Sequence, residues 1–344
     1  MPFTIVKKNI TKIRCDAIVN PTNEDLIPLG GADAEIHQVA GKELDEMCRS
    51  IGKLGVGKAK ITPAYRLPCK YVIHTVGPRW RGGGYHEKEL LQSCYQEALK
   101  IAKGTKCKSV AFPLISSGLH GYPKNEVLKV ALSVIKEFLY ENDMRVYLVL
   151  FDKEEYALNE KTVQEIAEYI KEEYEEIRED DLPFETYCIE KSLSPCGFEE
   201  RLESAKRLIA YSRKKFVSDY LSCENIFEDM YDGFALSLMQ LIDAKGMGDV
   251  ECYKKANVSR QTWYKILNDP NYKPNKKTIL SFAIALELDI EETQKLLATA
   301  GFVLSKSSKF DLIIMYCIKK EIYDVFEIDS ILFQYDQETL ASKL

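Results

Sequence analysis

Apolar positions in the first 152 residues fall into short runs rich in β-branched and aromatic side chains, separated by longer stretches with apolar residues at three- and four-residue intervals. The short runs predict strands over Phe3–Val6, Ala17–Val19, Ala59–Thr62, Tyr71–Thr75, Ser109–Phe112 and Val146–Phe151. The longer stretches predict helices over Ala34–Ile51, Glu87–Lys103 and Lys124–Glu141. The middle one sets Leu90, Leu91, Cys94, Ala98, Ile101 and Ala102 on one face. Tyr71–Val76 carries no period-two polarity, as expected of a strand covered on both faces. Strands alternating with helices of this length predict an α/β fold of three layers, with helices on both sides of a largely parallel, mixed sheet.

The pattern then changes. Glu160–Glu179 reads as a charged helix closing on Arg178-Glu179-Asp180-Asp181, and Leu182-Pro183 follows as a solvated boundary. From about Tyr231 almost no strand signal remains, and several short amphipathic helices predict an all-α C-terminal domain. The expected division is residues 1–177, a helical and charged connector over 178–230, and the helical domain over 231–344. Within that last part, 249–268 reads as a helix, a tight turn at Asn257 and a second helix capped by Ser259. Asn tolerates the left-handed backbone such a turn needs. Further helices are expected over Lys276–Leu286 and Asp289–Ala300. The tail Phe310–Leu344 reads as a helical cap or an interface, and these C-terminal helices are a candidate surface for homo-oligomers.

Composition narrows the setting. The chain has 344 residues, of which 46% are hydrophobic and 29% charged, ordinary values for a globular protein. No stretch is apolar enough to cross a bilayer and the start lacks a signal segment, so no membrane partner is expected and a cytoplasmic location is. Ten scattered cysteines with no C-x-x-C pair are expected to stay thiols, with no metal site and no cofactor. A net charge of −6 excludes polyanion binding by bulk electrostatics. Between Tyr253 and Lys277, however, seven basic residues face one acidic residue, Asp269, making residues 249–277 a candidate duplex-DNA surface.

Two loops carry candidate chemistry. Asn20-Pro21-Thr22-Asn23, followed by Gly30-Gly31-Ala32-Asp33, leaves one strand and enters a helix. Ser116-Ser117-Gly118-Leu119-His120-Gly121-Tyr122-Pro123 again joins a strand to a helix. Glycines let backbone N–H groups approach a phosphate, and a helix N-terminus favours negative charge. Two such loops at one sheet edge can grip a diphosphate from both sides.

Asp16-Ala17-Ile18-Val19-Asn20-Pro21-Thr22-Asn23 resembles the D-A-I-V-N-x-x-N segment of macrodomains, and Gly30–His37 resembles the glycine-rich loop that follows it. Val72–Pro78 and Ala111–Gly118 match later strands of that family in order. The resemblance covers about the first 150 residues and implies a macrodomain that binds ADP-ribose. Within the family the chain is most similar to the MacroD-type hydrolases, which implies a catalytic Asn23, a catalytic Asp33 ten residues on, and His37 beside it. Residues four apart share a helix face, so His37 can orient the Asp33 carboxylate. The implied ADP-ribose contacts are Asn9, Ile10, Asn20, Gly30, Gly31, Ala32, Ser116, Ser117, Gly118, Leu119, His120, Gly121 and Tyr122.

The sequence departs from the family at several positions. Pro28-Leu29 replaces half of the usual glycine run, and Ala34 follows the catalytic Asp where Gly is frequent. His120 stands where an aromatic ring usually covers the distal ribose. Asn9 replaces an adenine-contacting Asp, and its side-chain oxygen can still accept from the adenine amine. Plainer roles also exist: Asp33 as the cap of a helix starting near Ala34, His37 and His74 as ordinary core or cap histidines, the structural role being favoured for His74 in a buried strand, and Glu35 as surface charge. Capping alone does not explain Asn23 and His37 at matching offsets, which favours catalysis for Asp33.

The C-terminal order of helices resembles the helix-turn-helix domain of phage-repressor-like (XRE-family) regulators over residues 234–302. That resemblance implies base contacts from Arg260, Gln261, Thr262 and Lys265. Tyr253 stands where such domains place a small residue, the turn glycine is absent, and Trp263 and Tyr264 suit core or protein contacts. Three functions are therefore weighed. The first is hydrolysis of mono-ADP-ribose or O-acyl-ADP-ribose esters, directed by the C-terminal domain. The second is a non-catalytic ADP-ribose sensor acting as a DNA-binding transcriptional regulator. The third is an adaptor whose C-terminal helices contact only protein.

Overall fold

The computed structural model describes residues 2–150, 163–173, 233–269 and 272–341. The N-terminal part holds β1 (Phe3–Lys7), β2 (Ala17–Thr22), α1 (Gly31–Ala40), α2 (Lys42–Ile51), β3 (Ala59–Pro63), β4 (Tyr71–Val76), α3 (Glu87–Gly104), β5 (Ser109–Phe112), α4 (Lys124–Glu141) and β6 (Arg145–Leu150). The six strands lie in the order β1-β6-β5-β2-β4-β3. Every pairing is parallel except β3 with β4.

Strand periodicity sorts side chains between two faces. Along β2, Ala17 and Val19 pack with α3 and α4 residues such as Leu91, Ala98 and Val134. Ile18 points the other way, into a cluster with Ile36, Ala40, Leu44 and Cys48 of α1 and α2. Helices thus cover both sides of the sheet, as the pattern predicts.

The expected single helix over Ala34–Ile51 is two helices. The chain breaks at Gly41, where φ is +96°, a conformation that L side chains resist. This turn lets α2 fold back beside α1. Helix α1 also begins three residues earlier than predicted, at Gly31, so Asp33 lies inside it and does not cap it.

The C-terminal part is all-helical. Residues 163–173 (α5) are helical and fall within the 1–177 span; Ile166 on them packs into the C-terminal core. Then come α6 (Phe234–Ala244), α7 (Asp249–Lys255), α8 (Arg260–Asn268), α9 (Lys276–Ala285), α10 (Ile290–Ala298), α11 (Lys309–Lys319) and α12 (Val325–Gln334). The connector over 178–230 lies outside the described residues. Between α7 and α8, Asn257 has φ +53° and Ser259 Oγ accepts from the Thr262 backbone N–H, as expected. Trp263 is buried against Tyr253 and Phe282, with ring centres 6.0 and 5.7 Å away. The large Tyr253 side chain is therefore accommodated as part of the core. Apolar residues of α11 are buried within this chain's own core. Among the described residues, no helix is long and apolar enough to cross a membrane.

The two parts meet along β1, the edge strand of the sheet. Asn257 Oδ1 accepts from the Phe3 backbone N–H at 3.0 Å, and Asn257 Nδ2 donates to the Phe3 carbonyl at 3.0 Å. One side-chain amide thus satisfies both outward backbone groups of a strand residue. Phe3 stacks on Phe326 of α12 at 4.7 Å between ring centres, and Lys136 of α4 pairs with Asp324.

Asn257→Ala removes both bonds and leaves alanine in a left-handed turn. An unmet buried backbone group costs about 1–3 kcal/mol, and the left-handed turn adds about 1–2 kcal/mol for alanine. Asn257→Ala is therefore expected to lower the urea midpoint clearly, and Asn257→Gly less. Midpoints equal to the parent's would remove this seal from the account.

Candidate functional site

Parallel sheets bind ligands where their strands end at the carboxyl side. Here the segments leaving β2 and β5, which are neighbours in the sheet, line one cavity of about 540 Å³. It takes residues 21–23 and 29–35 from the first segment and 116–120 from the second. The loops expected to face each other therefore do. Backbone geometry fits each. Gly31 holds φ +59° at the start of α1, whose first N–H groups have no intrahelical partner. Gly77 lies under the second loop, where an added Cβ would fall 2.0 Å from Ser116 Oγ.

The predicted residues separate into three groups. Asn9, Ile10, Asn23, Gly30, Gly31, Ala32, Asp33, Ser116, Ser117, Gly118, Leu119 and His120 all line the cavity. Asn20 and His37 do not line it; they are buried and meet Asp33 from behind. Gly121 and Tyr122 also stay off the lining: Gly121 turns the loop at φ +67°, and Tyr122 is buried against Trp80 at 4.5 Å. Their part is to shape the loop.

Behind the cavity a chain of polar groups runs between the sheet and helices α1 and α2. Asn20 Nδ2 donates to Asp33 Oδ1 at 2.7 Å and lies 3.2 Å from His74 Nδ1. Thr22 Oγ1 donates to Asp33 Oδ2 at 3.2 Å. His37 Nε2 lies 3.5 Å from Asp33 Oδ1, and His37 Nδ1 lies 2.6 Å from Asp45 Oδ1. Burial raises the pKa of Asp33, opposed by the Asn20 bond, the charge of His37 and the Thr22 bond. Burial pushes His74 down to about 3, with His37 adding to the effect, so His74 is neutral near pH 7.

The tautomers follow. Asn20 needs its N–H₂ for the Asp33 carboxylate, so its second hydrogen meets a lone pair on His74 Nδ1. His74 Nε2 then carries the ring proton and donates to Thr62 Oγ1 at 3.0 Å. This bears on metal binding. His37, Cys48 and His74 bring ligand atoms within 4.8 Å of one another. A protonated Nε2 offers a cation no lone pair, and burial pushes the Cys48 thiol up to about 11. The two histidines of this cluster back Asp33 instead, His37 facing it at 3.5 Å and His74 reaching it through Asn20.

Other residues take parts that differ from the sequence expectations. Asn9 Oδ1 already accepts from the Thr11 N–H at 2.9 Å and the Thr11 hydroxyl at 2.7 Å. Its Nδ2 donates to Glu35 Oε2 at 3.0 Å, so Glu35 belongs to the cavity rim and is more than surface charge. Asn23 holds its own loop, with Oδ1 accepting from Asp25 N–H at 3.0 Å and Nδ2 donating to the Ile27 carbonyl. Thr22 and Asp45 were missed. Thr22 shares a strand face with Asn20 once β2 is seen to run past Val19, and alternation could have found it. Asp45 reaches His37 only because the chain turns at Gly41, which no helical period reveals.

In the C-terminal part, Arg260, Gln261 and Lys265 are exposed on α8, while Thr262 is half-buried with its hydroxyl 2.9 Å from Ser259 Oγ. Much of the local positive charge is matched within the chain. Lys255 pairs with Glu287 at 2.6 Å, Lys276 with Asp311 at 2.6 Å, and Lys277 with Glu338. Arg260 also lines a shallow hollow with the acidic Glu141, Asp143 and Asp249.

A family model described as Macro domain matches residues 19–131. A macro domain-containing protein of Methanosarcina mazei is 44% identical over 164 residues, covering 47% of this chain and 88% of the relative. An O-acetyl-ADP-ribose deacetylase of Salmonella typhimurium is 42% identical over 156 residues, covering 44% of this chain and 87% of the relative. Among solved structures, an Oceanobacillus iheyensis macrodomain with ADP is 37% identical, covers 48% of this chain and 92% of that chain, and has a TM-score of 0.44.

The contact of the second loop with Gly77 gives a direct test. Gly77→Ala must displace Ser116 Oγ and Ile115 Cγ2, which would lie 2.0 and 2.8 Å from the new carbon. Such overpacking costs about 1–3 kcal/mol. A thermal midpoint clearly below the parent's is expected; an unchanged one would mean the loop has room this geometry denies.

Proposed function

This chain belongs to the macro domain family, and from that premise we propose that its cavity binds ADP-ribose and hydrolyses esters of its distal ribose. The bonds cut are those to an acidic side chain or to a free acyl group. The observation that carries this reading is Asp33, a buried carboxylate at the cavity wall, held by Asn20 and Thr22 and backed by His37. The similarity to an O-acetyl-ADP-ribose deacetylase supports the same chemistry.

The diphosphate lies between the two loops, where the first turn of α1 and the 116–121 segment favour negative charge. The distal ribose then reaches Asn23 and Asp33. In the proposed step Asp33 accepts a proton from water as the water oxygen attacks the ester carbonyl carbon. The bond from that carbon to the ribose oxygen breaks, and the ribose oxygen takes up the proton. Positioning supplies much of the rate, since water, carboxylate and ester are fixed together. The Asn9 contacts alter the expected base recognition: its oxygen is already shared by two Thr11 donors.

A second reading, a non-catalytic ADP-ribose sensor that binds DNA, is favoured by one feature. Helix α8 follows a tight turn and keeps Arg260, Gln261 and Lys265 exposed. The ion pairs at Lys255, Lys276 and Lys277 reduce the field available to phosphates.

For the first reading, Asp33→Ala is expected to retain ADP-ribose binding by calorimetry while release from an ester-linked substrate falls by about two orders of magnitude or more. Equal turnover in variant and parent would remove Asp33 from the chemistry. For the second, Arg260→Ala combined with Lys265→Ala should weaken duplex binding and flatten its salt dependence, by about one unit of log–log slope per lost phosphate contact. Binding that ignores both substitutions rules α8 out as the reading helix.

A further inference from the structure

Asp45 has no role in the cavity, yet it makes the shortest contact to the group behind Asp33. Its Oδ1 lies 2.6 Å from His37 Nδ1, within a pair whose side chains are 33% and 3% exposed. Two carboxylates therefore face opposite nitrogens of one buried imidazole: Asp45 on Nδ1 and Asp33 on Nε2, the latter at 3.5 Å. A carboxylate accepts and cannot donate, so the Nδ1 position carries hydrogen. Nε2 is left facing Asp33 with no hydrogen-bond partner of its own.

We propose that Asp45 is a positioning residue: it holds the His37 ring by the Nδ1 proton and draws a second proton onto Nε2, leaving Asp33 as the ionised carboxylate. One proton is at issue, on Asp33 Oδ1 or on His37 Nε2. With it on His37, an imidazolium sits between two carboxylates, the favourable alternation of charge. With it on Asp33, Asp45 faces a neutral ring and Asp33 cannot take a proton from water. Asn20 and Thr22 on β2 bond Asp33, Asp45 on α2 meets His37, His74 on β4 and Cys48 on α2 lie beside them, and Thr62 on β3 bonds His74. Of these Asp45 is the one carboxylic acid. The inference rests on the hydrolase reading in its last step only; the hold on the ring stands apart from turnover.

Two measurements separate the parts. In protein labelled with ¹⁵N-histidine, His37 is expected to show a protected Nδ1–H signal, identified by its loss in His37→Gln. Asp45→Ala should abolish the signal, while Asp45→Asn, which keeps an accepting oxygen, should retain it. A parent without this signal, or an Asp45→Ala variant with it, overturns the positioning role. In the pH profile of kcat on an ester-linked substrate, Asp45→Asn should move the acid limb up by about one pH unit. KM should change less than twofold, and Asp45→Glu should restore the limb. A limb unmoved in Asp45→Asn overturns the proton assignment. If the parent has no turnover, the hydrolase reading and this last step fall together, while the Nδ1 signal still decides whether Asp45 holds the ring.

Discussion

Placing an acid inside a protein layer requires donors that face it and a reason for it to stay near the surface. Asp33 has both. Asn20 and Thr22, two residues apart on β2, present an amide and a hydroxyl to its two oxygens. The strand period puts them on one face, and the parallel pairing of β2 with β4 sets Asn20 opposite His74. That pairing matters because His74 is neutral and can accept the spare Asn20 hydrogen. Slipping the register by one residue would turn both side chains to the α3 and α4 side and leave the carboxylate unmet.

Much of this arrangement was legible in the chain. The runs at Ser109–Phe112 and Lys124–Glu141 coincide with β5 and α4, because their apolar positions mark the surfaces these elements bury. The cavity was legible through glycines and family spacing at Gly30, Gly31 and 116–121. What was not legible depends on long-range geometry. Gly41 reads as one residue in a helical run, yet its positive φ separates α1 from α2 and carries Asp45 to His37. Asn9 reads as a free amide, but Thr11 and Glu35 occupy it in the fold. The basic segment near α8 looked unopposed because Glu287, Asp311 and Glu338 come from later in the chain.

The helical half also depends on the sheet more closely than a tethered domain would. Aromatic stacking of Phe3 on Phe326 joins the two cores, and Phe326 counts among the buried residues of the sheet's own cluster. Lys254 reaches the Tyr140 carbonyl at the end of α4, on the same flank. Contacts of this kind bring α7 and the start of α8 against the first half, so a ligand held by Arg260 lies beside the acidic end of α4.

The amide of Asn257 closes a rim that open sheets otherwise leave exposed. A fragment trimmed after β6 would present the outer backbone of Phe3 to solvent, together with an aromatic ring stripped of its cover. Bare strand edges of that sort invite sheet-to-sheet self-association. In the whole chain the C-terminal helices cover that edge, backbone and ring together.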